Sequence, residues 1–445
     1  MRHETIRRIR LRAALAALLL LALALPARAE RTIAGTGDPS QDVPNVQAAV
    51  DQGGTIVLRG TFDFGRDGRI KITRDVRIRG EKDEDGEPKT TIRGGFWTFY
   101  SPLPVPGATP SSKGPVVAVH ALRFIGARGT PMHFCFTGGV DVRGCVVRDL
   151  LPQDLRVQWS GGDKLPFIAG VVVGNRLDYP SRRVKQAATG VIRIAGNTFD
   201  MAVDDPARVA GYGVMVNWTT GADIGISGNT VMRPSRCGIE ALDNTRGPKA
   251  DGTVAIEGNR VVTADEGVEY PHKYGPNGIV AGWYFDTRGG VDITANPPLA
   301  LVGNRIEARG ERSTGLLLYA DDVVAICNDV VLAGGHEARG VVQTGSRGFF
   351  SHNRVRGQGS YAVYCHPFET LQGSANVFAW TELNDFSGYK GQVLLGGNVN
   401  TLVGTPPVLT DKGKGNRVVK AAPCVLPEVS PEGEAWPPAE GETAP

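Results

Sequence analysis

Carboxylates, guanidiniums and large aromatic side chains recur at one kind of place in this chain, just after short apolar runs that open with glycine. The run from Gly213 is followed by Trp218. The run from Gly238 contains Glu240 and is followed by Asp243, Asn244 and Arg246. The run from Gly278 leads to Trp283, Tyr284, Asp286 and Arg288, and the run from Gly315 to Tyr319, Asp321 and Asp322. His366 closes the series. Two reactions can be drawn from such a set. Hydrolysis of a glycosidic bond needs two carboxylates, one acid and one base or nucleophile, at roughly 5 to 9 Å. Glu240 or Asp286 with Asp321 or Asp322 is the pairing to expect. Elimination next to a uronate needs a cation to neutralise the acid and a base to take the neighbouring proton. Arg246, Arg288, or a Ca²⁺ ion held by Asp286, Asp321 and Asp322 would neutralise. Trp218, Trp283, Tyr284 and Tyr319 offer ring faces for binding. The plainer reading makes each carboxylate a solvated turn residue and each aromatic a packing group under a loop.

These residues need a scaffold that stacks one turn on the next, and the sequence supplies it. An asparagine, a polar residue and an apolar residue recur at Asn175, Asn197, Asn229, Asn259, Asn304, Asn328 and Asn353. The steps between them are 22, 32, 30, 45, 24 and 25 residues. Recurrence of this kind marks a solenoid of stacked coils. Each repeat reads as three short strands: one opening with glycine, a second leading into a glycine–asparagine corner, and a third starting at the apolar residue two past the asparagine. Asparagine tolerates the left-handed backbone of a sharp bend. Stacked at about 4.8 Å, its amides can bond to the copies above and below. The asparagine column is therefore read as structural. In the glycine-led strand the first and third positions after glycine face inward. The second (Met215, Glu240, Val280, Leu317, Val342) and fourth (Asn217, Leu242, Gly282, Tyr319, Thr344) face outward. That outer face is apolar enough to expect loops over it.

Residues 1–29 read as a secretory leader: arginines first, then an unbroken Ala/Leu run over 13–25, then an Ala-x-Ala cleavage pattern ending at Ala29. The apolar run is too short to span a membrane. This places the protein in a periplasm or outside the cell. The leader takes six arginines and one glutamate from 49 basic and 46 acidic residues, leaving a net charge near −2. No nucleic-acid footprint follows from that balance.

Residues 42–52 read as a helix with Pro44 in its first turn and Val43, Val46 and Val50 on one face, covering the end of the solenoid. The solenoid domain is set at 30–420, with a Pro/Glu-rich tail at 421–445 that lacks the composition to pack. Excursions from the repeat are expected at 81–113, around Phe96, Trp97, Phe99 and Tyr100, and at 151–168 and 179–189. Such insertions tend to line a binding groove. The six cysteines show no zinc or redox spacing. They read as buried thiols, with Cys135 and Cys145 the pair to test for a disulfide. A further patch, Glu269 to Tyr274 with His272, and a sequon at Asn217-Trp218-Thr219 complete the candidates.

Val46 to Val50, Gly53 to Leu58 and Gly60-Thr61-Phe62, together with the glycine–asparagine corners, resemble the right-handed parallel β-helix superfamily, the pectin-lyase-like group. The likeness runs over about residues 42 to 415. It implies an all-β right-handed parallel β-helix of about ten coils with an N-terminal capping helix. It also implies an extended polysaccharide as ligand. The group's catalytic patterns are mostly missing. Asn244-Thr245 is followed by Arg246 rather than aspartate, Asp321-Asp322 stands alone, and no Gly-His-Gly occurs. The expectation is thus a polysaccharide lyase or hydrolase, or else a non-catalytic carbohydrate-binding or surface solenoid. Oligomeric state is not legible in the sequence.

Overall fold

Each repeat folds into one coil of three strands. The chain runs through Ala210–Val216, turns into Asp223–Ser227, bends at Asn229 into Thr230–Met232, and returns as Cys237–Leu242, parallel to the strand it left. Repetition builds three parallel sheets. In a computed structural model of the protein the first sheet has 13 strands, one of them an antiparallel strand off the stack, the second 14 and the third 10. Among the described residues ten coils therefore carry all three faces, and beyond them only strands of the first two sheets are described. The architecture is a right-handed parallel β-helix, the hand that parallel crossovers take. The structure describes residues 30–102, 114–158, 164–174, 188–247, 249, 251–267, 275–282, 296–365 and short stretches between 367 and 419. The leader, the tail and Asn175 lie outside them.

The interior is one continuous apolar column. Val214 and Val216 from the first sheet meet Ile224 and Ile226 from the second and Val231 from the third, all buried. The opening glycines have a steric cause. A Cβ on Gly213 would collide with Val231 and stand 2.6 Å from the carbonyl oxygen of Gly238. Gly238 meets Val261, Gly278 meets Ile306 and Gly315 meets Val330 in the same way. The apolar residue two past each asparagine thus fills the room the glycine leaves.

Asparagine amides run as a ladder through Asn197, Asn229, Asn259, Asn304, Asn328 and Asn353. Each of the first five donates from Nδ2 to the Oδ1 of the next at 2.9 Å. Each Nδ2 also donates to a carbonyl of the coil before, such as Asn229 to Ile194 O at 2.8 Å. Cys145 takes the asparagine's place at the N-terminal end, its N–H donating to Asn197 Oδ1 at 2.9 Å. Cys327 and His352 occupy glycine's place at the corner, with φ of 58° and 57°.

The N-terminal cap starts earlier than the sequence suggested. Its helix α1 is Pro39–Val50, with Asp38 as N-cap accepting from Ser40 N at 2.9 Å. Pro44 consequently sits inside the helix and not in its first turn. Val46, Ala49 and Val50 close the end of the core. Asp42, buried, accepts from the backbone of Thr36, Gly37 and Asp63, tying the helix to the first coil. One excursion is a strand, Gln153–Gln158, antiparallel to Lys164–Val173 at the side of the first sheet.

Candidate functional site

The second-position column does face outward. Met215 pairs in register with Glu240, Glu240 with Val280, Val280 with Leu317, Leu317 with Val342 and Val342 with Tyr364. Met215 and Val280 join Phe167, Tyr212 and Cys237 in a second apolar cluster, separate from the interior. Leu242, Leu317 and Tyr319 pack against it, half-buried. Much of this outer face is therefore covered, as its composition requires.

Glu240 lies under that cover, 4% exposed. Its Oε1 accepts from Asn217 Nδ2 at 2.7 Å, and its Oε2 stands 3.7 Å from the Cys237 thiol. Burial pushes the Cys237 thiol and the Tyr212 hydroxyl well up, and the Glu240 charge adds to both. Asn217 is itself buried, with its Oδ1 accepting from Leu242 N at 2.9 Å. The sequon is therefore closed to glycosylation in the folded protein.

Asp321 and Asp322 end up with different partners. They form the short turn after Thr314–Tyr319, Asp322 in the left-handed region at φ 58°. Arg347, one coil on, donates from Nε to Asp322 Oδ1 at 2.7 Å and from Nη2 to Asp322 Oδ2 at 2.9 Å and Asp321 Oδ2 at 3.1 Å. Those bonds, the Asp322 one first, raise the Arg347 guanidinium further. Arg246 reaches across two coils to within 3.7 Å of Asp322 and donates to Asn296 O at 2.9 Å. Of the expected set, the structure places Arg246 near Asp322 and joins Asp321 to Asp322 through Arg347, whereas Glu240 is bonded to Asn217. Two carboxylates and two guanidiniums make a neutral brace over four coils. A bidentate arginine fixes both carboxylates in place, which suits a brace.

Trp218 is 6% exposed at φ 60°, and its indole N–H has no hydrogen-bond partner among the described residues. Trp283, Tyr284, Asp286, Arg288, His366 and the Glu269 to Tyr274 patch lie outside the described residues. Among the described residues no three His, Cys, Asp or Glu side chains are grouped to hold a metal ion, and the Asp286 member of the Ca²⁺ set is not among them. Cys135 and Cys145 form no disulfide. Burial holds their group as expected for Cys135, Cys145, Cys237 and Cys365, whereas Cys327 is exposed, because its corner turns the side chain to solvent.

The same outer face becomes aromatic and more open toward its C-terminal end. Tyr361 and Tyr364 stack at 5.0 Å between ring centroids, both half-buried. The Arg339 guanidinium lies 5.6 Å from the Tyr364 ring centre. In the fourth-position column Tyr319 pairs with Thr344 on the strand that begins at Arg339. Arg339 Nε and Thr344 Oγ1 are both buried and have no hydrogen-bond partner among the described residues. Burial raises the Tyr364 hydroxyl. Of this group the sequence named Tyr319 as a binding residue and Thr344 as an outward position. Carrying the second-position column one coil further would have reached Tyr364.

No protein-family model and no curated protein matches the chain. Solved structures do. The Streptococcus pneumoniae surface protein and adhesin PfbA is 12% identical at a TM-score of 0.45, over 87% of this chain and 99% of that one. A tailspike protein of E. coli bacteriophage HK620, in complex with a pentasaccharide, is 12% identical at 0.45, over 87% and 74%. A PL6 alginate lyase in complex with a trisaccharide is 11% identical at 0.42, over 88% and 85%. The assignment of the fold rests on the strand register itself.

Proposed function

We propose that this protein is exported and recognises polysaccharide along the outer face of its first sheet, chiefly through Tyr319, Tyr361, Tyr364 and Arg339. The observation that carries this is the half-exposed stack of Tyr361 on Tyr364, with the Arg339 guanidinium 5.6 Å from the Tyr364 ring centre. Tyrosine rings give apolar area with a polar edge, which matches a sugar ring's two sides. The leader pattern at 1–29 is the support for export, and no helix among the described residues is long and apolar enough to cross a membrane.

A catalytic reading has its own observation. Glu240 is a buried carboxylate beside Cys237, Tyr212 and Asn217, in the outward column that leads to Tyr364. Buried titratable groups with strong neighbours are where acid–base chemistry tends to sit. Here Glu240 would move the proton, Arg246 would neutralise a uronate, and Asp321 and Asp322 would hold Arg246 in place.

A panel of acidic and neutral polysaccharides, with and without Ca²⁺, separates these readings. Retention on an acidic or neutral polymer with no new reducing ends is the expected result. Tyr364→Ala should then weaken retention about 3- to 10-fold. Ultraviolet absorbance of an unsaturated product would make the protein a lyase, and reducing ends alone a hydrolase. Absence of retention and turnover on every polymer would overturn both.

A further inference from the structure

Two arginines on the first sheet's outer face lie against aromatic rings with no carboxylate among the described residues paired to them, and they sit at opposite ends. Arg339 is one. The other is Arg69, whose guanidinium carbon lies 4.6 Å from the Phe96 ring centre, 5.0 Å from Trp97 and 5.5 Å from Tyr100. Its Nε donates to Phe96 O at 3.1 Å. No described carboxylate forms an ion pair with Arg69 or Arg339, in contrast to Arg79, Arg128, Arg143, Arg233, Arg312 and Arg347. The N-terminal rings are ordered from below. Trp97 stacks on Phe96 at 4.8 Å, crosses His133 edge-on at 4.6 Å and donates from Nε1 to Gln153 Oε1 at 3.1 Å. Trp97 is buried and held at φ 47°, a costly backbone for a bulky residue. Phe96, Tyr100 and Arg69 stay half-exposed above it, and the exposed Lys71 stands in register beside Tyr100.

Strand register links the two ends in a single outward column. Tyr100 pairs with His133, His133 with Val172 and Val172 with Met215, and the column then runs through Glu240, Val280, Leu317 and Val342 to Tyr364. Those eight steps, at roughly 4.8 Å each, put Tyr100 and Tyr364 about 38 Å apart.

We propose that Arg69, Phe96, Tyr100 and Lys71 form a second ligand site, and that one polysaccharide chain bearing repeated carboxylates bridges it to the Arg339–Tyr364 site. This rests on the polysaccharide reading of the C-terminal platform and adds to it a charge and a length. An aromatic-backed guanidinium keeps its planar donor fork free for a carboxylate while a sugar ring packs beside it. The apolar stretch between the two sites offers few such contacts. A chain long enough to span both gains by effective concentration, on the order of 10²- to 10⁴-fold over a short one.

Titration calorimetry with the full-length protein tests this, using long polygalacturonate, short galacturonate oligomers and the methyl-esterified polymer. The expected results are two oligomer sites per protein, at least 100-fold tighter binding of the long chain, and loss of that gain on esterification. Arg69→Gln should leave one oligomer site and bring the long chain to oligomer affinity. Lys71→Ala, at an exposed position that leaves the ring stack alone, should weaken the long chain several-fold. One oligomer site in the wild type, with long-chain affinity unchanged in both variants, would overturn the second site and leave the first standing. Failure of the wild type to bind either length would overturn the polysaccharide reading itself.

Discussion

The Cγ1 of Val231 occupies the space that a Cβ on Gly213 would need, and Val261 stands in the same relation to Gly238. The third sheet's apolar residue and the first sheet's glycine are thus two halves of one packing unit, repeated coil after coil. Gly238→Ala should cost about 2–3 kcal/mol or more, since backbone oxygen and a fixed valine both meet the new methyl. Gly225 supplies the control: a Cβ there meets nothing within 4 Å, and its φ is not left-handed. Gly225→Ala should be neutral or stabilise by about 0.4–1 kcal/mol. Denaturant midpoints of the two variants make the comparison, and equal losses would sink the packing argument.

Asn259 joins two rungs of the ladder. It accepts from Asn229 N and Nδ2 and donates to Ile226 O and Asn304 Oδ1. Asn259→Ala should cost about 3 kcal/mol or more, because several buried groups lose partners at once. Asn259→Asp should fail as well, since a carboxylate cannot donate to Ile226 O or Asn304. Urea unfolding of both variants decides the point; tolerance of aspartate would show that donation from Nδ2 is unimportant.

Cys327 is exposed and carries φ 58°, while Cys135, Cys145, Cys237 and Cys365 are buried. In a Cys424→Ser background one thiol should react with a thiol reagent in the native state and four more only on unfolding. Burial raises the Cys327 thiol somewhat and pushes Cys145 to about 12, so neither is a ready thiolate at neutral pH. Cys327→Gly should stabilise by up to about 1 kcal/mol by removing the left-handed penalty. A fall in melting temperature would count against that account.

Asp141 stands between His120 Nε2 at 3.1 Å and Arg143 Nε at 2.6 Å on the second sheet's outer face. Burial works to raise its carboxyl, but the His120 hydrogen bond and the Arg143 charge together hold it below its ordinary value of 3.8. A depressed folded value means stability that is present above pH 3.8 and lost as pH falls through the folded value. Unfolding measured between neutral pH and strong acid should show a smaller acid loss in Asp141→Asn than in the wild type. Identical curves would remove Asp141 from the account of acid sensitivity.

The repeat carried most of the fold by itself. Asparagine corners, opening glycines and the apolar residue two past each asparagine are local requirements of one coil, so their recurrence names the strands, their order and the inward positions. The outward, apolar second-position column was legible for the same reason, since alternation in a strand is fixed by the pleat. Partners across coils were not legible. Coil lengths vary, so the stacking register that sets Arg347 on Asp321 and Asp322, or Asn217 on Glu240, exists only once the coils are laid down. Helix α1 began earlier than its apolar spacing suggested because Asp38 caps it. Arg69 and Arg339 lie 270 residues apart in the sequence, and only the shared outer column places them on one face. Sequence settled what each coil is made of; the stacking of coils settled which side chains meet.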